Sequence, residues 1–295
     1  MNPVVIFTDS CSDLPKDLRE KYNIEYAKMS TVMDDKETPA SLDWDYFSPH
    51  DFYGFMRKGK RITTSQVSEQ EFIKAFTPWL EKGYDIVYLG CALTCSSSVN
   101  TGKVAAKKLN ETYKNSKIFS IDALICSGGE GMVAILASKF RDQGLSAEQI
   151  AEKIMPLRNT VNMFCTVHSL DALRRSGRVK ASSAFFGNLL GVKPIIISDK
   201  DGNNTAIKKV KGRINSMEEL ASLTAESLKD SDDKLVLLTH ADSDEDAETL
   251  KNMLLEKVPD ADVHICPMGP IIGASIGPDA LCLFSYGPDV SRFKV

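Results

Sequence analysis

No stretch of this chain is apolar for long enough to cross a bilayer, and Met1-Asn2-Pro3 leads straight into a strand-forming run instead of a signal peptide. No integral membrane segment is expected, and the chain reads as cytoplasmic. Basic residues form no stripe with interleaved aromatics, and the net charge of -4 argues against nucleic acid as a partner. There is no G-x-G-x-x-G and no Walker lysine, so the common nucleotide-binding loops are excluded. There is no C-x-x-C either. The seven cysteines are an odd count, and Cys91, Cys126, Cys165, Cys266 and Cys282 sit in or beside apolar runs. They read as reduced, buried thiols. The four histidines, His50, His168, His240 and His264, show no ligand spacing. Neither a metal nor a cofactor is expected.

What is present is ordinary globular material: 295 residues, 43% hydrophobic and 26% charged, enough for two domains or one large α/β domain. Short apolar runs alternate with amphipathic helical patterns, which signals an α/β fold with mostly parallel strands. Strands are expected over 4–8, 24–33, 85–91 and 117–122, and helices over 15–22, 49–57, 69–81, 99–113 and 127–143. Ser146 with Gln149 caps one more helix, to about residue 158. Asp34-Asp35-Lys36 is a turn. Beyond residue 158 the pattern changes. Strands over 161–167 and 192–198 flank a short helix over 170–175, and Asp201-Gly202 turns into a returning strand over 206–210. A helix to 228, a strand over 234–239, a helix after Ser243 and strands over 264–266 and 281–285 complete the alternation. The change near Asn159 divides the chain into a parallel-sheet N-terminal domain, 1–158, and a mixed α/β C-terminal domain, 159–295.

Two hydroxyl-rich turns are the most informative segments. Ile62-Thr63-Thr64-Ser65-Gln66-Val67-Ser68 precedes the helical pattern 69–81, and Thr94-Cys95-Ser96-Ser97-Ser98 separates the strand 85–91 from the helix 99–113. Small hydroxyl residues ahead of a helix present free backbone N–H groups and the positive helix end, which is an anion site. Neither turn holds a Lys, His or Glu to activate a hydroxyl, so the chemistry reads as binding of an acidic head group. The alternative is a phosphoryl-transfer enzyme or hydrolase using Asp9 or a turn serine. An apolar strand running into Thr8-Asp9-Ser10-Cys11-Ser12-Asp13 opens like an aspartyl-phosphate phosphatase, but Cys11 stands where the second Asp would act as acid/base. Asp9 reads first as a turn residue capping the helix that follows.

Other features have ordinary readings beside sharper ones. Ser127-Gly128-Gly129-Glu130-Gly131 lets a helix pack closely on a sheet. His168 reads as a satisfied structural histidine, and Asp242, Asp244, Glu245 and Asp246 as first-turn carboxylates complementing a helix dipole. Arg174, Arg175 and Arg178 form a basic patch that either complements a helix end or docks an acidic or phosphate-bearing partner. The apolar segment 181–190 reads as core, or, with Phe164, Phe52, Phe55 and Met56, as the lining of an acyl tunnel.

In this order and spacing the chain resembles the DegV-type fatty-acid-binding proteins over essentially its full length. Thr8-Asp9-Ser10-Cys11-Ser12-Asp13-Leu14 is similar to the family's T-D-S-x-x-D-L, and Thr64-Ser65-Gln66 to its T-S-Q turn. Ser96-Ser97-Ser98 falls where the family has S-G-T. Asp122 with Ser127, Gly129 and Gly131 resembles D-S-x(3)-S-x-G-x-G, with Ala123 in place of the first Ser. The segment 170–179 resembles L-x-x-L-x-x-G-G-R-I with Ser176 for the first Gly, and Leu189-Leu190-Gly191-Val192-Lys193-Pro194 resembles L-L-x-I-K-P. In the late motif G-P-V-I-G-x-H-x-G-P-G-A-L, Ser275 replaces the His and Asp279 a Gly. The resemblance implies a two-domain DegV-like fold that buries a long-chain fatty acid. Its carboxylate would lie at Thr64, Ser65, Ser96 and Ser97, with Ser275 near the head group. It also implies a carrier without catalysis of its own, which presents the acid to a separate fatty-acid kinase. The segment of Arg174, Arg175 and Arg178 is the candidate docking site for that kinase.

Overall fold

The computed structural model describes residues 1–180 and 191–288; the apolar segment 181–190 lies outside them. The first strand, β1 (Val4–Asp9), is buried along its whole length. A short helix, α1 (Lys16–Lys21), returns the chain to β2 (Ile24–Ala27), which pairs parallel to β1. The strand expected over 24–33 breaks at Lys28-Met29, and buried Ser10 is the reason. Its hydroxyl accepts from the Met29 amide at 3.0 Å and donates to the Ala40 carbonyl at 2.7 Å. Strand β3 (Ser30–Met33) therefore leaves the first sheet and pairs with β4 (Lys36–Pro39). Asp34 and Asp35, with φ of 50° and 59°, are the two central residues of the hairpin, as a type I′ turn requires. After α2 (Pro49–Arg57), β5 (Ile62–Ser65) joins them in a three-stranded sheet of order β4-β3-β5. This corrects the reading of 62–65 as a turn. Thr63 and Thr64 are hydroxyl residues but also β-branched, and the ladder to Val32 and Thr31 takes them.

Helix α3 (Glu69–Glu81), strand β6 (Asp85–Gly90), helix α4 (Ser98–Thr112) and strand β7 (Ile118–Asp122) complete a parallel sheet of order β2-β1-β6-β7. Helices α3 and α4 cover one face, where Phe7, Phe72, Phe76 and Tyr88 pack edge to face. Helices α5 (Gly128–Asp142) and α6 (Ala147–Leu157) cover the other, α6 being opened by the capping box of Ser146 and Gln149.

A second, mixed sheet follows. Strand β8 (Val161–Thr166) leads to α7 (Leu170–Ser176), β9 (Val179–Lys180), β10 (Val192–Ser198) and β11 (Asn204–Lys211), the last two forming the expected hairpin. Helix α8 (Arg213–Leu228), strand β12 (Leu235–His240), helix α9 (Asp244–Lys257), strand β13 (Asp262–Pro267), helix α10 (Pro270–Ile276) and strand β14 (Leu281–Tyr286) finish the chain's described part. The strand order is β13-β12-β14-β8-β10-β11-β9. Alternation sorts its side chains: Phe164, Ile197, Leu281 and Leu283 meet α8 and α9 on the outer face, while Met163, Cys165, Ile196 and Cys282 point inward. No helix among the described residues is long and apolar enough to cross a membrane.

Helix α5 is the shared layer, packed against β1 and β6 on one side and β8, β12 and β14 on the other. Its glycines make that possible. A methyl at Gly128 would sit 2.8 Å from the Phe284 ring, and one at Gly129 would sit 2.6 Å from Ile125 Cγ1 and 3.0 Å from the Phe284 ring. Gly129→Ala gains about 0.5–1 kcal/mol in helix propensity but overpacks a buried contact, which costs about 1–3 kcal/mol. Overpacking should win, lowering the urea midpoint. A midpoint equal to or above the parent's would mean that α5 can shift away from the second sheet.

Candidate functional site

The loop after β1 is a buried knot of acids. Asp9 accepts from the Cys11 amide at 2.8 Å and from the Tyr88 hydroxyl at 2.6 Å, with no exposed surface. It closes a turn on Cys11; helix α1 is instead entered through Pro15, with no side-chain cap. Burial pushes the Asp9 carboxyl upward against the pull of those bonds. Glu130, also fully buried, accepts from the Thr8 hydroxyl at 2.5 Å and the Asp9 amide at 3.2 Å through Oε1. Burial, with the Asp9 charge, holds it well above the carboxylate range. Asp13 accepts from the Ser127 hydroxyl at 2.5 Å and the Gly269 amide at 2.8 Å, and burial raises it to about 7.

Beside this knot lies a cavity of about 560 Å³, within the roughly 300–1,000 Å³ span of small-molecule sites. Four parts of the fold wall it. Strand β5 and its continuation supply Thr64 and Gln66; the loop from β6 to α4 supplies Leu93 through Ser97. Helix α10 supplies Ile271, Ile272, Ser275 and Ile276. The inward face of the second sheet supplies Met163, Cys165, Ile196 and Cys282. Hydroxyls thus gather at one set of walls and aliphatic side chains at the others.

The structure brings most of the expected site residues to this cavity. Thr64, Ser96, Ser97 and Ser275 are on its wall, while Ser65 is not, because successive residues of β5 face opposite ways and Ser65 pairs with Ser30. The hydroxyls differ in how free they are. Thr64 and Ser97 make no side-chain hydrogen bond among the described residues. Ser96 Oγ accepts from the Ser98 amide at 3.2 Å and lies 3.0 Å from Ser98 Oγ, which in turn accepts from the Val67 amide at 3.2 Å. That relay ties the two turns together, and Gln66 adds a bond to Thr101 at 2.9 Å. Ser275 donates to its own helix at Ile271 O, 3.2 Å away.

Several readings change. Thr64 stands on a strand four residues ahead of Ser68, and the first turn of α3 already holds the Ser68 hydroxyl bond together with Glu69 and Glu71. Of the two helix ends expected to attract an anion, only α4 begins without an acidic residue in its first turn. The basic patch divides in part: Arg178 lines the cavity, reaching the Cys95 carbonyl at 3.5 Å, and shares an outer groove with Arg175, while exposed Arg174 lines neither. Among the described lining residues Arg178 is the one charged side chain. Phe164 and Phe52 are core, away from the cavity, and Met56 lines the outer grooves. His168 is exposed, its carbonyl held by Lys193 at 2.8 Å, so no packing satisfies its ring. Asp242 accepts from Arg57, and Asp246 takes Arg213 at 2.8 Å, so the acidic cluster divides between an ion-pair network and the start of α9. Asp279, at φ 62° where the family motif carries Gly, adds a 2.6 Å bond to Arg57.

What the sequence reading missed is the convergence of the thiols. Cys11, Cys91, Cys95, Cys126, Cys165 and Cys282 all line this one cavity. They come from five places in the chain, only Cys91 and Cys95 sharing a loop, so no metal-type spacing announces them. The available signal was positional: Cys11 and Cys91 each follow a parallel strand's carboxyl end, where open α/β sheets place their ligands.

Residues 3–287 match the model of the DegV family, described as one of uncharacterised proteins. The chain is 31% identical over 287 residues to a DegV domain-containing protein of Clostridium perfringens, covering 97% of this chain and 98% of that one. It is 30% identical over 285 residues to one of Streptococcus pyogenes, covering 96% and 97%. Among solved structures it resembles a stearic acid-binding protein from Eubacterium ventriosum (TM-score 0.87, 23% identity, 97% and 98% covered) and the fatty acid binding protein DegV of Bacillus subtilis (TM-score 0.84, 23% identity, 96% and 99% covered). These likenesses establish the fold: a parallel N-terminal sheet and a mixed C-terminal one.

The buried Asp13 makes stability depend on pH in a defined direction. Its ordinary carboxyl value is 3.8, whereas in the fold it keeps its proton to about 7. Between those values the folded state binds more protons, so its contribution, fully present below about pH 4, is lost as pH rises through about 7. At about 1.4 kcal/mol per pKa unit, the loss from Asp13 between pH 5 and 7 is about 2 kcal/mol. Urea unfolding at the two pH values should therefore show Asp13→Asn losing less stability than the parent over that interval. Equal losses would mean that the Asp13 carboxyl titrates alike in both states.

Proposed function

The chain belongs to the DegV family, and on that premise we propose that it binds a long-chain fatty acid in the 560 Å³ cavity, with the carboxylate between Thr64 and Ser96. The observation that carries this reading is the cavity's polarity. Hydroxyls from two cross-linked turns, the open start of α4 and the Arg178 guanidinium stand at one set of walls, while Leu173, Ile196, Ile271, Ile272 and Ile276 stand at others. A carboxylate needs donors and an acyl chain needs none. Burying about fifteen methylenes at roughly 0.8 kcal/mol each offers on the order of 12 kcal/mol gross, before ordering costs. The head group adds less, and it decides which end of the ligand goes where. Relatives described as fatty-acid-binding support the same ligand class.

The hydrolase reading loses Asp9, one of its two candidates. Asp9 has both carboxylate oxygens taken by the protein, has no exposed surface and does not line the cavity. We propose instead a carrier that presents its acid to a separate fatty-acid kinase, which docks on the exposed basic face at Arg175, beside Lys60 and Arg61. Arg178, expected as part of that face, lines both the cavity and the groove it shares with Arg175, and in this reading it serves the head group.

Mass spectrometry of lipid released from the purified protein should find a long-chain fatty acid; an empty extract from protein expressed in lipid-replete cells would overturn the reading. Thr64→Val keeps the shape and removes a donor that the fold does not use. With charge-assisted bonds worth about 1.5–3 kcal/mol, it should weaken fatty-acid binding by about one to two orders of magnitude. Ser96→Ala should do the same, with a small stability cost from the lost Ser98 bond. A fatty alcohol of equal length should bind the parent weakly and lose little on mutation. Equal losses for acid and alcohol would place the carboxylate elsewhere.

Docking has its own test. Arg175→Glu should lower kinase-dependent phosphorylation severalfold with lipid binding unchanged, whereas Arg178→Glu should lower lipid retention itself. If Arg175→Glu leaves phosphorylation at the parent's rate, the kinase docks on another face.

A further inference from the structure

Two of the cavity's cysteines belong to a donor set that fatty-acid binding does not use. Cys11 follows β1 and Cys91 follows β6, at the carboxyl ends of neighbouring parallel strands, and Glu130 lies in the first turn of α5 behind them. One ligand atom from each of Cys11, Cys91 and Glu130 falls within 4.8 Å of the other two, and all three residues are buried. A third sulfur adjoins the group on one side: Cys126 Sγ lies 3.1 Å from Cys91 Sγ.

Glu130 supplies an independent observation. Its Oε1 is held by Thr8 and Asp9, but Oε2 has no hydrogen-bond partner and no exposed surface. A buried carboxylate oxygen without a partner costs free energy unless something satisfies it. Closely grouped thiols are poor hydrogen-bond partners, whereas thiolates are strong metal ligands.

From this arrangement we infer that the floor of the cavity is a Zn²⁺ site, with Cys11, Cys91 and Glu130 as ligands and the fourth position open to the cavity. Two thiolates and a carboxylate suit a borderline cation of tetrahedral habit. A purely soft cation such as Cu(I) has no use for the carboxylate, and Mg²⁺ or Ca²⁺ none for sulfur. On binding, each ligating thiol and the Glu130 carboxyl give their protons to solvent, and no electron moves. Cys11, Cys91 and Cys126 open on the cavity, so the ion has a path of entry, while Glu130 approaches from the protein side. Separate chain segments supply the ligands, which is why no C-x-x-C announces the site. The inference does not depend on lipid binding.

Cobalt titration of the full chain, stripped by chelator and kept reduced, tests it. Sulfur-to-cobalt charge-transfer absorption should rise to one equivalent and vanish when Zn²⁺ is added. The double variant Cys11→Ser/Cys91→Ser should lose the absorption. Glu130→Gln, which preserves shape and the Thr8 contact, should weaken Zn²⁺ binding by about ten- to a hundredfold or more, the loss typical of disturbing a metal's shell. Cys266→Ser, which removes a thiol outside the cavity, should leave both unchanged. Absence of the charge-transfer band, its persistence in the double variant, or unaltered Zn²⁺ affinity in a folded Glu130→Gln would overturn the site. Uptake of Cu(I) with none of Zn²⁺ would overturn the choice of ion.

Discussion

One buried carboxyl holds the two sheets in register with each other. Asp13 accepts from Ser127, 114 residues away, and from Gly269, 256 residues away, and the Ser127 hydroxyl also lies 3.2 Å from Thr239. These contacts join the loop after β1, the start of α5, the end of β12 and the start of α10. Two of these segments line the cavity directly, through Cys11 and Ser127, and the helix that starts at the fourth supplies Ile271, Ile272 and Ile276. Because Asp13 and Ser127 both hold positive φ, at 48° and 57°, the backbone there is bent into place by the bonds it makes. Nearby Asp9 and Glu130 make a second negative charge harder to hold, so the knot favours neutral carboxyls.

Above that constraint the fold follows from period and burial. Helix α5 is buried against both sheets, which demands small residues on two sides, and Gly128, Gly129 and Gly131 meet that demand. The strand alternation of β8 sends Phe164 to the outer helices and Met163 and Cys165 to the cavity. The same alternation separates Thr64 from Ser65. A site whose polar wall comes from loops and whose apolar wall comes from a sheet face needs both sheets in place before it exists.

Much of this was legible in the amino-acid sequence. Helix α2, helix α6 with its capping box and the hairpin at Asp201-Gly202 follow from local chemistry. The small sheet was not legible as such. The break at Lys28-Met29 is imposed by Ser10, which acts from eighteen residues or more away, and β5 hides behind hydroxyls that serve a ladder. Helix α10 is short and carries Gly273, so its pattern is weak. For the site, family-like motifs pointed to Thr64 and Ser96, whereas the thiol convergence and the aliphatic wall of α10 are tertiary facts without local signature. Arg178 changed role for the same reason: spacing grouped it with Arg174 and Arg175, and folding set it, still exposed, at the rim of the cavity.

The place of β14 in the second sheet has a consequence for how the protein comes into being. Among the described residues it is the last strand to be made, yet it lies between β12 and β8 in its sheet. Until residues 281–286 leave the ribosome, β8 and β12 have no common neighbour. The inward-facing pair of Cys165 and Cys282, which helps floor the cavity, is then half made. The parallel sheet of the first half can assemble from local βαβ units while synthesis continues, but the second must close over a large sequence separation. The cavity therefore closes only once β14 is made, and until then a growing chain exposes the face of α5 meant for the second sheet.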